Sequence, residues 1–481
     1  MAEIRTSIPQ RLDRLPWSRW HAIIVIGLGI TWILDGLEVT MVGSIGSRLK
    51  DPSALGLSDA AVGAAATCYL IGAVVGSLVF GYLTDRFGRK KLFIITLCWY
   101  VAATSLTAFS WNEGSFLVFR FLTGFGIGGE YSAINSTIDE LIPSARRGWV
   151  DLAINGTYWF GAILGSGASI LLLNAHMVDQ RYGWRIAFGL GAVLATGIVF
   201  VRSGIPESPR WQITHDRVAE ANANMHAIEA EIRREHGGDA LPEPHGAMTL
   251  DPKRRHGLGD IVRTMLETYP ERTVVVFALM IAQAFLYNAF VFTNSLVLTN
   301  FFGVAASDVG WYTLPFSIGN LLGALLLGPL FDRIGRKPMI AFTYAFAGIG
   351  ITVTGLLFVA GILNAVTFTL ALCITFFVAS AGASAAYLTV SEIFPLEIRA
   401  MAIALVYSVG TLVGGAVAPW FYGKLIETKQ PTMILIGYAI AAALMLAAAA
   451  IELRFGVEAA GKRLEDVAAP LGATGETALA T

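Results

Sequence analysis

Of 481 residues, 55% are hydrophobic and only 34 are basic and 35 acidic, so 14% are charged, against roughly a quarter in a soluble globular domain. So few charges cannot cover a 51.5 kDa soluble globule, and the mean hydropathy of +0.62 agrees. A soluble enzyme, a nucleic-acid binder and a coiled coil are excluded. The net charge of −1 says nothing about partners, because the charges are segregated along the chain.

Apolar runs bounded by charged, Pro or Gly punctuation fall at 20–46, 59–82, 91–109, 115–141, 147–174 and 184–202, and resume at 272–300, 309–331, 338–358, 363–390, 400–423 and 433–452. Each is close to the roughly 20 residues a helix needs to cross the hydrocarbon. The pattern predicts an all-α membrane protein with twelve transmembrane helices in two six-helix halves. The first run follows Arg5, Arg11, Arg14 and Arg19, contains Asp35 and Glu38, and lacks a small-residue cleavage site. It reads as a retained helix, not a signal peptide. Cys68, Cys98 and Cys373 lie inside apolar runs and imply no disulfide framework.

The expected domains are an N-terminal segment (1–19), a first bundle (20–202), a polar linker with short helices (203–271), a second bundle (272–455) and a flexible tail (456–481). Alternate loops and both ends hold 26 of the Lys and Arg residues, and the intervening loops hold 6. The positive-inside bias puts both termini and the linker in the cytoplasm. The location implied is the cell's inner (plasma) membrane.

The two halves repeat. Gly81-Tyr-Leu-Thr-Asp85-Arg86-Phe-Gly88-Arg89 returns as Gly328-Pro-Leu-Phe-Asp332-Arg333-Ile-Gly335-Arg336, and Glu140-x-x-Pro143-x-x-x-Arg147 returns as Glu392-x-x-Pro395-x-x-x-Arg399. Duplicated six-helix halves with a site between them describe a transporter built for alternating access. Charged pairs between helix ends on the cytoplasmic side could latch the halves in one state and release them in the other. The gating set is therefore Asp85, Arg86, Arg89, Glu140, Arg147, Asp332, Arg333, Arg336, Glu392 and Arg399. The plainer reading of these charges is membrane anchoring by solvated surface pairs, each worth about 0–1 kcal/mol.

These motifs, with Pro206-Glu-Ser-Pro-Arg-Trp211, resemble the major facilitator superfamily, and within it the sugar porters and the aromatic-acid/proton symporters. The resemblance covers residues 20–455 and is more specific for the fold than for the substrate.

Ionisable groups at mid-membrane cost at least about 2.5–3.5 kcal/mol and call for a reason. Asp35 lies fifteen residues into the first span, with Glu38 on nearly the same helix face. Arg120 and Glu130 lie in span 4, and Asp151 near the start of span 5, whereas spans 7–12 carry no Asp, Glu, Lys or Arg between their ends. The resemblance implies that Asp35 carries a proton with Arg120 as its charge partner. Glu38 completes an Asp-Gly-x-Glu similar to the aromatic-acid signature. At 1.5 Å per residue Arg120 should sit about 9 Å nearer the opposite surface than Asp35, which makes Glu38 its alternative partner. A static buried ion pair is the competing reading. Glu130 is open between a proton or substrate relay and a packing role, and Gly124, Gly126, Gly128 and Gly129 around it suit close helix approach.

For the substrate, Gln283 and Asn288 in span 7 match two positions of the sugar porters' signature, and Tyr387 matches an aromatic that walls their site. Asn294 lies on the same span, and Asn155 and Trp159 on span 5, where sugar porters place glutamines. Fewer amides and more aromatic surface point toward a less hydroxylated solute, such as an organic or aromatic acid. The expectation is a monomeric, proton-coupled symporter of a small polar organic solute, with protons, the solute and the lipid bilayer as partners. No nucleic acid, cofactor or metal site is expected, and no enzyme activity. A proton-antiport exporter and a non-transporting sensor on the same scaffold are the alternatives; span 5 lacks the exporters' proline motif.

Overall fold

A computed structural model describes residues 4–49, 52–57, 59–172, 178–203, 206–238, 241–244, 248–250, 258–304, 309–395, 397–469 and 471. The first half comprises α2 (Arg19–Leu49), α3 (Asp59–Phe87), α4 (Arg89–Ala108), α5 (Glu113–Leu141), α6 (Ser144–Leu172) and α7 (Gln180–Ser203). The second comprises α11 (Pro270–Phe302), α12 (Val309–Arg333), α13 (Arg336–Val359), α14 (Ala365–Ile393), the pair α15 (Arg399–Gly410) and α16 (Val417–Glu427), and α17 (Pro431–Phe455). Among the described residues eight of these helices are individually long and apolar enough to cross a membrane. Span 11 is not one continuous α-helix: a π-helical turn over Thr411–Ala416 joins α15 to α16. Such turns unwind a helix locally and recur at functional sites.

The repeat extends into local structure. Asn112 opens α5 with a side chain that accepts from Ser115 N–H, and Asn364 opens α14 in the same way on Thr367. Gly88 and Gly335, at φ +100° and +118°, precede α4 and α13. A side chain is strained in that region of backbone space, which accounts for glycine at both copies.

Within each half, glycines let helices touch at the backbone. A Cβ on Gly36 of α2 would fall 1.9 Å from the Tyr158 carbonyl oxygen of α6, and one on Gly161 would fall 1.9 Å from that of Ile33. A Cβ on Gly124 of α5 would fall 2.0 Å from the carbonyl oxygen of Tyr69 on α3. With almost no hydrophobic drive between helices in lipid, this close packing supplies the association energy. It also sets the distance between the side chains of the site.

The chain ends and the linker form a layer on one face, hereafter the terminal face. There β1 (Ile4–Thr6) pairs antiparallel with β2 (Met248–Leu250). The buried Ile8 and Leu12 of α1 (Ile8–Asp13) share a core with Ala221, Met225, Ile228 and Ile232 of α9 (Val218–Glu235). Arg11 and Arg14 grip Glu229 at 2.7 and 2.6 Å. Burial opposes that carboxylate, but the hydrogen bonds from the two arginines outweigh it and hold its pKa below the usual range. The remaining short helices are α8 (Pro209–Thr214), α10 (Leu258–Arg263) and α18 (Leu464–Val467). The expected flexible tail is corrected here in its first part. Residues 456–469 are ordered, with Leu464 and Val467 buried and the Val467 carbonyl accepting from Arg272 at 3.0 Å. Residues 472–481 lie outside the described residues.

Gly36→Val should prevent α2 from seating on α6. The expected outcome is loss of the monodisperse peak in detergent gel filtration, whereas Gly167→Val, with open space around its Cβ, should leave that peak intact.

Candidate functional site

Asp35 and Glu38 are each 2% exposed, and the structure gives them different partners. Asp35 accepts hydrogen bonds from Tyr69 of α3 and, at 2.6 Å, from Tyr131 of α5. Glu38 forms the ion pair with Arg120, and also accepts from Tyr100 of α4 at 2.5 Å. The Arg120 guanidinium also lies 4.5 Å from the centre of the Tyr69 ring. Of the two partners open to Arg120, Glu38 takes the arginine, one helical turn along α2, and Asp35 is left with neutral hydroxyl donors. The rise per residue explains it, since Arg120 is displaced along the membrane normal toward Glu38. Glu130 is fully buried, one residue before Tyr131.

Tyr131 joins this cluster to the seam between the halves. Its ring stacks on Trp32 of α2 at 4.7 Å and meets the edge of Tyr407 of α15 at 4.7 Å. Trp32 in turn contacts Tyr387 of α14 at 5.8 Å, and Tyr387 lies 6.4 Å from Tyr407. Two aromatics from each half thus form one wall, and the hydroxyl of one of them holds Asp35. The Trp32 indole nitrogen is buried without a hydrogen-bond partner among the described residues. A buried unpaired donor is costly, so this N–H is available to an incoming acceptor.

The polar residues expected to bind solute are more dispersed. Gln283 is buried with its amide nitrogen 3.1 Å from the Met280 sulfur, and Asn288 donates to the Ala284 carbonyl at 2.9 Å. Asn155 donates to the Asp151 carbonyl at 2.9 Å. These amides satisfy their own helices. Asn294 lies buried farther along α11, with its side-chain oxygen unpartnered among the described residues. Trp159 packs into an aromatic cluster of the second half, 5.8 Å from Tyr287 and 5.5 Å from Phe316. Tyr287 donates to Asn320 at 2.9 Å, a half-buried polar contact at mid-helix that the sequence did not single out.

On the terminal face the duplicated charges form duplicated pairs. Arg89 binds Glu140 at 2.8 Å, and Arg336 binds Glu392 at 3.0 Å. Glu207 accepts from the Arg89 backbone N–H at 2.9 Å, and Glu458 accepts from that of Arg336 at 2.8 Å. Burial pushes the Glu207 carboxyl above its usual range despite Arg89 beside it. Contacts on this face also cross between the halves: Asp332 accepts from Trp149 N–H at 2.8 Å, and Arg147 faces Glu392 at 3.9 Å. Asp13 adds a third layer, 3.5 Å from Arg147 and 2.8 Å from Arg210, which is itself 3.4 Å from Glu465. Arg399 is buried and donates to the Phe394 carbonyl at 3.3 Å. Arg86 and Arg333 are corrected as members of this network. Both are exposed, and Arg86 lies over Phe87 at 5.5 Å. The motif places them one residue after the aspartate, which turns them off the inward face of the helix. The Asp85 side chain lies outside the described residues.

Two six-helix halves, a buried acid cluster joined to their seam by Tyr131 and a paired charge layer on one face define a multi-pass membrane transporter of the major facilitator fold rather than an enzyme. Residues 36–470 match the family described as "Sugar (and other) transporter", and the chain belongs to that family. YyaJ of Bacillus subtilis, provisionally named a metabolite transport protein, is 30% identical over 83% of this chain and 85% of its own. The niacin transporter NiaP of Acinetobacter baylyi is 25% identical over 95% of this chain and 98% of its own. Among solved structures, the proton:xylose symporter XylE bound to 6-bromo-6-deoxy-D-glucose superposes with a TM-score of 0.76 at 20% identity, covering 93% of this chain and 98% of that one.

Removing one member of a buried pair leaves the other charge uncompensated, at a cost of about 3–5 kcal/mol. Arg120→Met should therefore lower the detergent melting temperature sharply, and Glu38→Gln added to it should restore most of the loss. Equal melting of the single and double variants would contradict the pairing.

Proposed function

We propose that the protein is a proton-coupled symporter that carries a small organic acid, aromatic acids foremost, across the cell's inner membrane. Its termini and linker lie in the cytoplasm, as the Lys and Arg bias supports. A single chain suffices, because both halves supply side chains to one site. The observation that carries the reading is Tyr131, whose hydroxyl holds Asp35 while its ring touches Trp32 and Tyr407.

As a carboxylate, Asp35 is acceptor-only and can take both tyrosine hydroxyls. As an acid it gains an O–H donor and its protonated oxygen becomes a much weaker acceptor, so protonation loosens the hydrogen bond from the tyrosine on that oxygen. A proton arriving on Asp35 therefore acts on the Tyr131 ring and, through Tyr407, on the seam. Arg120, already held by Glu38, keeps the cluster from carrying two uncompensated charges. The cytoplasmic layer then serves as the gate. Arg89, Glu140, Asp332, Arg336 and Glu392 clamp helix ends, and Arg147 with Asp13 and Arg210 binds the terminal segments over them. A charge lost or moved in the membrane biases which face is closed.

For the solute, planar rings at Trp32, Tyr131, Tyr387 and Tyr407 offer stacking surface, and the Trp32 N–H offers a donor to an anionic oxygen. Gln283 and Asn288 are engaged within their own helix, which leaves few amides for a sugar's hydroxyls. The likeness to the niacin transporter of Acinetobacter baylyi supports an aromatic acid.

The test is uptake into proteoliposomes under an imposed inward proton gradient, with niacin, benzoate and hexoses as solutes. Wild type should accumulate the acids, and Asp35→Asn should abolish accumulation while keeping counterflow exchange. Gradient-driven accumulation in Asp35→Asn would overturn the proton role, and uptake of hexoses alone would overturn the solute class.

A further inference from the structure

A groove of about 390 Å³ runs between α4 and α7, away from the seam and the acid cluster. Ser105, Phe109, Tyr182, Arg185, Gly189 and Val193 line it. Phe109 is 73%, Val193 69% and Tyr182 52% exposed, so these side chains face the bilayer rather than the protein interior. Gly189 has no atom within 4 Å of where its Cβ would stand, and this missing side chain forms part of the open floor.

Arg185 stands at one end, toward the face opposite the termini. Its guanidinium is fixed twice, by a 2.6 Å hydrogen bond to the Ala108 carbonyl and by stacking 4.2 Å over Trp184. Among the described residues no carboxylate lies within ion-pair distance of it. A guanidinium at the edge of the hydrocarbon that has a carbonyl partner but no protein carboxylate keeps a charge that an anionic headgroup can pair. From Tyr182 to Thr196 the groove follows fifteen residues of α7, a rise of about 21 Å. A single leaflet of hydrocarbon is about 15 Å thick. The groove therefore has a cationic mouth and an apolar shaft that together span one leaflet.

We propose that this groove binds an anionic glycerophospholipid, its phosphate on Arg185 and the Tyr182 hydroxyl and one acyl chain along Gly189 and Val193. The lipid completes the ion pair that the protein leaves open and fills the space beside Gly189. Its bulk ties the ends of α4 and α7 together on the outer flank of the first half.

The experiment is native mass spectrometry of the full chain, delipidated in detergent and then incubated with phosphatidylglycerol or phosphatidylcholine micelles. Wild type should retain phosphatidylglycerol several-fold better than phosphatidylcholine. Arg185→Gln should remove that preference, and Gly189→Leu, which meets no protein atom, should reduce retention of both lipids. Retention of phosphatidylglycerol by Arg185→Gln at the wild-type level would overturn the proposal. So would equal retention of the two lipids by wild type, or full retention by a folded Gly189→Leu chain.

Discussion

Two carboxylates placed within one turn of a membrane helix must find compensation from the protein, because the hydrocarbon offers none. Glu38 takes the charge of Arg120, and Asp35 takes two tyrosine hydroxyls. Much of the first half follows from that division. Tyr69 and Tyr131 come from α3 and α5, which meet at the backbone where Gly124 faces Tyr69. Asp35 and Glu38 come from α2, which is seated on α6 through Gly36 and Gly161. Small residues at the crossings set the spacing, and the spacing brings the donors within reach of the acids.

The division also separates stability from switching. An ion pair such as Arg120–Glu38 is strongly penalised when one partner is lost, so it suits a fixed strut. A carboxylate held only by neutral donors can exchange a proton without stranding an opposite charge. Its donor Tyr131 is one of four aromatics at the seam and touches Tyr407 of the second half. The second half has no matching charged cluster in its spans. Its counterpart contributions are aromatic and amide, with a π-helical turn at Thr411–Ala416 just beyond Tyr407.

How much of this was legible in the sequence depended on the cost of each feature. The spans were legible because an apolar run of membrane length rarely arises except to cross a bilayer, and the halves because acids, arginines and glycines recur at a fixed offset. Asp35, Glu38 and Arg120 stood out because charge within such runs is rare. Trp32, Tyr69, Tyr100 and Tyr131 did not stand out, since aromatic residues are ordinary in membrane helices and only the fold shows which ones face an acid. The π-helical turn, the pairing of β1 with β2 and the docking of residues 456–469 rest on contacts between distant segments. Glu207 and Glu458 had a readable clue, because they follow the sixth and twelfth spans at nearly the same offset as the other repeats. Arg86 and Arg333 show the limit of motif reading: they belong to the repeated pattern, yet their side chains turn outward.

The central claim is that the proton state of Asp35 sets which face is closed. Arg86 and Arg333, exposed on the terminal face of opposite halves, are suited to spin labels after replacement by cysteine in a chain lacking Cys68, Cys98 and Cys373. Double electron–electron resonance between these positions should show the distance distribution shifting toward longer separations as the pH falls. With Asp35→Asn the distribution should no longer respond to pH. A pH response that persists unchanged in Asp35→Asn would contradict the account.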